Sequence, residues 1–155
     1  MMRSTINQDA AVRAALGAWA NANRAMDIDA IMACYLPEAV SYDCHSVFQL
    51  RGAEAHRAHL AACFPHMRAP VTFDLHELSI VSNGDLAFCH FTLRCGCTGS
   101  DDKEHWVWLR ASSCLRLVAG KWLIAHDHCS APFDPVSERV MLDAGPDGLT
   151  QGKAA

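Results

Sequence analysis

The stretch "GKWLIAHDHCSAPFDP", residues 120–135, decides how the chain is read. It opens on a turn glycine, runs as a strand, and carries two histidines around an aspartate with a cysteine and a serine behind them. Residues two apart on a strand share a face. Trp122, Ile124, His126, His128 and Ser130 therefore form one set, and Leu123, Ala125, Asp127 and Cys129 the other. Both sets are partly apolar, so alternation leaves open which one faces the core. His126 and His128 have the spacing of a chelating pair. No third ligand is fixed by the sequence, with His90, His105 and Cys114 merely available. Histidines hydrogen-bonded at a sheet surface are the simpler reading, and no metal is expected.

Outward from this strand the pattern is regular. Ala119-Gly120 is a turn, and before it "HWVWLRASSCLRL" (105–117) alternates as a long strand. Trp106, Trp108, Arg110, Ser112 and Cys114 oppose Val107, Leu109, Ala111, Ser113 and Leu115. Asn83-Gly84 is a hairpin turn between "VTFDLHELSIVS" and "DLAFCHFTLRCGC". The first of these shifts its apolar phase from Val71, Phe73, Leu75 to Leu78, Ile80, which predicts a bulge. Residues 8–25 put Val12, Leu16, Trp19 and Asn23 on one helical face, with Asn7 as a possible cap. Asp27 can cap a second helix that buries Ile28, Ile31, Met32 and Tyr35 and stops at Pro37. "AVSYD" and "SVFQLRG" read as short strands, and Gly52 opens a third helix with His56, Leu60 and Phe64 on one face. Helix, helix, strand pair, helix and four long antiparallel strands make an α+β domain with helices on one face of a curved sheet. The domain spans 1–143, and residues 144–155 read as a flexible tail.

The composition is that of a globular chain: 155 residues, 51% hydrophobic and 19% charged. The formal net charge is −4 without a basic stripe, which argues against nucleic-acid binding. No apolar run approaches the roughly 18 residues of a membrane span, and the start lacks the apolar stretch of a signal peptide. The expectation is a cytoplasmic protein with no membrane partner. Its eight cysteines are then expected to stay reduced. Cys95 and Cys97 put two thiols on one side of a strand, a weak zinc signal.

The motifs "AWANANRAMDIDAIMACYLPEAVSYD", "QLRGAEAHRAHL", "NGDLAFCHF" and "WLRASSCLRLVAGKWLIAHDHCSAPFDP" together resemble the SnoaL-like branch of the nuclear-transport-factor-2-like superfamily. They cover roughly residues 8–143. Ketosteroid isomerase is an enzyme of that superfamily, and the association domain of calcium/calmodulin-dependent protein kinase II is a non-catalytic relative. The resemblance implies a cone of sheet and helices whose open end is a ligand pocket, and dimers formed through the outer sheet surface. Aligned through Gly120-Lys121, it places Ser113 where the isomerase has a hydrogen-bonding acid, and Ser113 and Cys129 where the kinase domain has ligand-facing arginines. The inner set is then Leu109, Ala111, Ser113, Ala125, Asp127 and Cys129. The outer set carries Trp106, Trp108, Trp122, His126 and His128, an apolar surface suited to a homodimer.

The same resemblance assigns candidate roles. Asp43 matches the isomerase's general base, and Trp19 the first-helix tyrosine of its oxyanion hole. Asp127, pointing into an apolar cone, is a second candidate acid or base; a salt bridge at the cone mouth is its alternative. Asp43 could equally cap the turn "DCHS". Tyr42, Ser113, Cys129 and Arg110 join Trp19 as candidate substrate-binding residues, with His45, Arg51 and His56 as further polar candidates. A buried Arg51 or Arg110 would need Asp43 or Asp127 as partner. Trp19 and Ser113 are weaker acids than the isomerase's donors, so 3-oxosteroid isomerisation is not expected. The expected function is cofactor-free proton transfer on a small apolar carbonyl compound, as an isomerase, cyclase or lyase. The alternative is a non-catalytic ligand-binding or oligomerisation module.

Overall fold

The computed structural model describes residues 2–149 of the chain, with side chains from Gln8 to Gly148. Three helices come first: α1 (Met2–Arg24), α2 (Ile28–Met32) and, after strands β1 (Tyr35–Tyr42) and β2 (Leu50–Arg51), α3 (Ala53–Cys63). A short 3-10 turn, Phe64–His66, leads into the four long strands β3 (Arg68–Asn83), β4 (Leu86–Thr98), β5 (Glu104–Val118) and β6 (Lys121–Ser130). The six strands form one sheet in the order β2-β1-β6-β5-β4-β3. β1 runs parallel to β6, and every other pair is antiparallel. The α+β class is therefore as expected. Two short hairpins follow, Phe133–Asp134 with Arg139–Val140 and Ala144–Gly145 with Gly148–Leu149. The second pairs part of the segment read as tail, whose last residues, 150–155, lie outside the described ones. Among the described residues no helix is long and apolar enough to cross a membrane.

The core forms where α1 lies against the inner sheet face. Val12 and Leu16 are fully buried and Trp19 nearly so, on the helical face that the spacing predicts. They meet Cys89, Phe91 and Leu93 of β4, Leu109 and Leu115 of β5, and Ile31 of α2. Each such aliphatic side chain stabilises the fold by about 1.5–3 kcal/mol. The helix starts at Met2, so Asn7 lies inside it rather than capping it. Asp27 does cap α2, accepting from the Ala30 N–H at 3.0 Å. At the Ala119-Gly120 turn both residues have positive φ, 49° and 79°, and the strands pair directly on either side. That geometry matches the right-handed twist of a two-residue hairpin.

Further expectations change, and two of the changes move a side chain that matters. The second helix does not run to Pro37. It stops at Met32, and Tyr35 already belongs to β1. Pro37 sits in the stretch between Tyr35 and Val40 where pairing to β6 is interrupted and β2 has not begun, so its missing N–H leaves no ladder bond unmade. The expected strand "SVFQLRG" shrinks to Leu50–Arg51.

The second change is in β6. Cys114 pairs with His126 but Leu115 pairs with Ile124, so Ala125 is an extra residue, a bulge. Below the bulge Trp122 and Ile124 face inward, 8% and 1% exposed. Above it Asp127 and Cys129 lie opposite the inward Ser113 and Ala111, and His126 and His128 lie outside, opposite Cys114 and Ser112. Trp122, expected on the outer face, is therefore a core residue, because strict alternation cannot see a bulge. The predicted bulge in β3 is present: the register slips between His76 and Ser79, where Glu77 has φ 55°.

Candidate active site

The cone encloses a cavity of about 120 Å³ between α1, α3 and the sheet. Its apolar wall is Trp19, Leu60, Phe73, Phe91, Leu93 and Leu109. Trp19 stands edge-on to Phe73 and Phe91, which fixes its indole against the sheet.

At the inner end a hydrogen-bonded chain crosses from helix to sheet. The Trp19 indole N–H donates to the Tyr35 hydroxyl at 3.1 Å, and that hydroxyl donates to Asp127 Oδ2 at 2.5 Å. Burial and the adjacent Asp127 carboxylate hold Tyr35 well above the usual phenol range, so it remains a donor. Asp127 Oδ1 and, across the strand pair, Ser113 Oγ are buried without a hydrogen-bond partner among the described residues. Such orphans are rare in folded proteins and mark a place where a ligand's polar atoms fit.

His56 of α3 lies on the same wall, its ring edge-on to Tyr35 and its Nδ1 3.5 Å from Ser41 Oγ. Burial pushes His56 below the usual imidazole range, against the pull of the Asp127 and Asp43 carboxylates. Its neutral form is thus favoured at pH 7. The same two carboxylates stabilise the imidazolium that forms when it takes a proton.

The mouth is built differently. Asp43 follows β1 and accepts from His45 N at 3.0 Å and from His45 Nδ1 at 3.2 Å, while His59 Nε2 lies 3.4 Å from its other oxygen. Burial alone would raise Asp43, but the His45 hydrogen bonds and the two imidazoles outweigh it and hold the carboxyl below its ordinary range. In return the Asp43 hydrogen bond, opposed by partial burial, lifts His45 above its own. Cys129 of β6 closes the mouth, with its Sγ 4.0 Å from Asp43 Oδ1 and 3.7 Å from Cys44 Sγ. The Asp43 carboxylate and its histidines also bear out the turn-capping geometry, since the backbone N–H it accepts is two residues on.

Of the residues singled out from the sequence, Trp19, Asp43, His45, His56, Ser113, Asp127 and Cys129 converge on this one cavity. Tyr42 borders it, but its ring packs on the outer side against His126 and His128 at 4.9 and 5.7 Å. Arg110 is exposed and donates to the Ala131 carbonyl. Arg51 is exposed as well, and among the described residues no arginine pairs with Asp43 or Asp127. His126 is held by its Nδ1 contact with the Val40 carbonyl at 2.6 Å. Cys95 lines the cavity with its thiol pushed up to about 12 by burial. Tyr35 and Ser41 line the cavity as well; the sequence puts Tyr35 on a helix and Ser41 in a short strand, with no site role for either. In β1, Ala39 and Ser41 are buried while Glu38 is exposed and Val40 half-buried.

The comparisons agree with this architecture. The profile of the SnoaL-like domain matches residues 12–134. A nuclear-transport-factor-2-like protein of unknown function from Pseudomonas putida is 32% identical, superposes with a TM-score of 0.84, and covers 92% of this chain and 99% of its own. A candidate scytalone dehydratase from Novosphingobium aromaticivorans, 9% identical, shares the fold at TM-score 0.77 over 86% of this chain and 89% of its own. A ketosteroid isomerase-like protein from Erwinia carotovora shares it at 0.67 with 20% identity, over 78% of this chain and 93% of its own. No curated protein matches the chain. With its family profile matched over residues 12–134, the chain belongs to the SnoaL-like domain family.

Proposed function

We propose that this protein is an acid–base enzyme of isomerase or dehydratase type, acting through its own side chains on a small carbonyl compound. The observation that carries the reading is His56. It is a buried, neutral imidazole on the wall of an apolar cavity, with carboxylates at Asp127 and Asp43 placed to stabilise its protonated form. Groups whose surroundings drive their proton affinities apart are the mark of assigned acid and base roles. His56 takes the proton next to the substrate carbonyl. Ser113 Oγ donates to the oxygen that gains charge. Asp127, held by Tyr35, keeps the imidazolium favourable and accepts a substrate hydroxyl at its open oxygen. Asp43 acts from the mouth as a fixed negative charge. The fold of the dehydratase-like and isomerase-like neighbours is compatible with this chemistry.

The cavity volume of about 120 Å³ limits the substrate. An apolar cavity of about 150 Å³ holds one benzene. One small ring therefore fits inside, with any larger part lying through the mouth, and a four-ring steroid does not. The outer sheet face, with Trp106, Phe88 and Tyr42 about 40–46% exposed, suits a second copy of the chain.

The test is proton exchange in D₂O. Single-ring ketones and hydroxyketones are incubated with the protein, and loss of the α-proton signal is followed by NMR. Catalysed exchange is expected for at least one compound and should collapse in His56→Asn. Binding without exchange across the set would favour the non-catalytic ligand-binding module.

A further inference from the structure

Six chemistry-bearing side chains crowd the mouth of the cavity, more than the acid–base reading uses. Asp43, Cys44 and His45 are consecutive in the bend after β1, and their ligand atoms all lie within 4.8 Å of one another. Cys129 approaches this cluster from β6, with its Sγ 3.7 Å from Cys44 Sγ and 4.0 Å from Asp43 Oδ1. His59 and Cys63 stand behind Asp43, with Cys63 Sγ 3.7 Å from His59 Nε2.

The spacing is informative. Metal–sulfur bonds near 2.3 Å and metal–nitrogen or –oxygen bonds near 2.0 Å put tetrahedral ligand atoms about 3.8 Å apart for S–S, about 3.5 Å for S–N or S–O, and about 3.3 Å for N–O. The corresponding separations here are 3.7 Å for Cys44 Sγ to Cys129 Sγ, 3.6 Å for Cys44 Sγ to His45 Nδ1, 3.2 Å for His45 Nδ1 to Asp43 Oδ1, and 4.0 Å for Cys129 Sγ to Asp43 Oδ1. Four edges of a ligand tetrahedron are present, three of them within a few tenths of an ångström.

We infer that Asp43, Cys44, His45 and Cys129 form a tetrahedral site for a borderline-soft divalent cation of the zinc type. Two thiolates, one imidazole and one carboxylate are the donors such an ion selects over magnesium or calcium, which require oxygen. His59, on the second Asp43 oxygen, orients the ligating carboxylate. The ion ties the bend after β1 to β6 and so braces the rim of the cavity. With all four positions filled by protein it is a bracing site, and a bound cation offsets the Asp43 charge that otherwise favours the His56 imidazolium. The site is separate from the His126–His128 pair, which faces the other side of the sheet.

The probe is cobalt(II), which reports tetrahedral thiolate ligation by a near-ultraviolet charge-transfer band and intense visible bands. The full chain is reduced, freed of metal and titrated under argon. One equivalent should bind with both signals, and zinc should abolish them by displacement. Removing a partner behind a ligand lowers metal affinity by about 10–100-fold, so removing a ligand should lower it by at least that much. Cys44→Ser, at an exposed position, tests this without disturbing the core, and Cys129→Ser tests the partner strand. His126→Ala should leave the titration unchanged. The inference is overturned if the reduced protein gives no saturable thiolate band, or if the band survives both serine changes. It is also overturned if Cys44 and Cys129 are recovered as a disulfide from protein kept under argon, since that would assign their proximity to sulfur oxidation instead.

Discussion

The two ends of the cavity handle polar groups in opposite ways. At the mouth, the charge on Asp43 is answered by the exposed His45 and the largely buried His59. At the inner end, Asp127 has one oxygen bonded to Tyr35, its other oxygen and the Ser113 hydroxyl have no partner among the described residues, and burial favours neutral His56. The contrast shows that an aspartate's place in a family pattern does not settle its chemistry. Asp43 matches the position of a general base, yet its partners hold it ionised and weakly basic. In the proposed reading the proton goes instead to the buried, neutral histidine beneath it.

The most damaging change to this contrast is deletion of Ala125. Without the bulge, either Trp122 and Ile124 or Asp127 and Cys129 must turn outward. Exposing the first pair costs about 3–6 kcal/mol, from about 1.5–3 kcal/mol for each side chain. Urea denaturation should show a loss of that size, and an unchanged midpoint would mean that β6 has no bulge.

Next in size is the chemistry. His56→Asn should lower the catalysed exchange rate by about 10²-fold or more. Asp43→Asn, acting only through the field at the mouth, should lower it by less than His56→Asn does. The reverse ranking would return the role of base to Asp43.

Tyr35→Phe tests the inner chain by itself. It leaves both Asp127 oxygens without a partner, which should lower stability by about 1–3 kcal/mol while leaving the mouth intact. A variant as stable as the parent would show that the Tyr35–Asp127 bond contributes nothing net.

The smallest expected effect is in pH dependence, where the two ends oppose each other. His56 is depressed in the folded state, so the unfolded chain binds its proton first, and stability falls as pH drops through the ordinary histidine range. Asp43 is also depressed; its contribution is complete above the usual carboxylate range and fades only as pH falls through its lower folded value. His45 is raised, so its contribution is full below the ordinary histidine range and disappears as pH rises through its folded value. Thermal melts of the parent and His56→Asn between pH 5 and 8 should therefore diverge on the acid side. Parallel curves would remove burial of a neutral His56 from the account.

Periodicity in the sequence determined the helix face of Val12, Leu16 and Trp19, the two hairpin turns, the β3 bulge and the order of elements. These follow from local rules: the 3.6 and 2.0 repeats, positive φ at turn residues, and capping at Asp27. The motifs also brought Trp19, Asp43, Ser113, Asp127 and Cys129 to notice before any coordinates. Tertiary structure alone decided the rest. Whether β6 alternates without interruption depends on its pairing with β5, so the burial of Trp122 was invisible in the strand itself. Tyr35 reads as a helix residue until β6 offers it a parallel partner. The basicity of His56 and the ionisation of Asp43 depend on what lies within a few ångströms of each, from segments up to 71 and 16 residues away in sequence (Asp127 and His59), and proximity of that kind is set by the closing of the sheet around the helices.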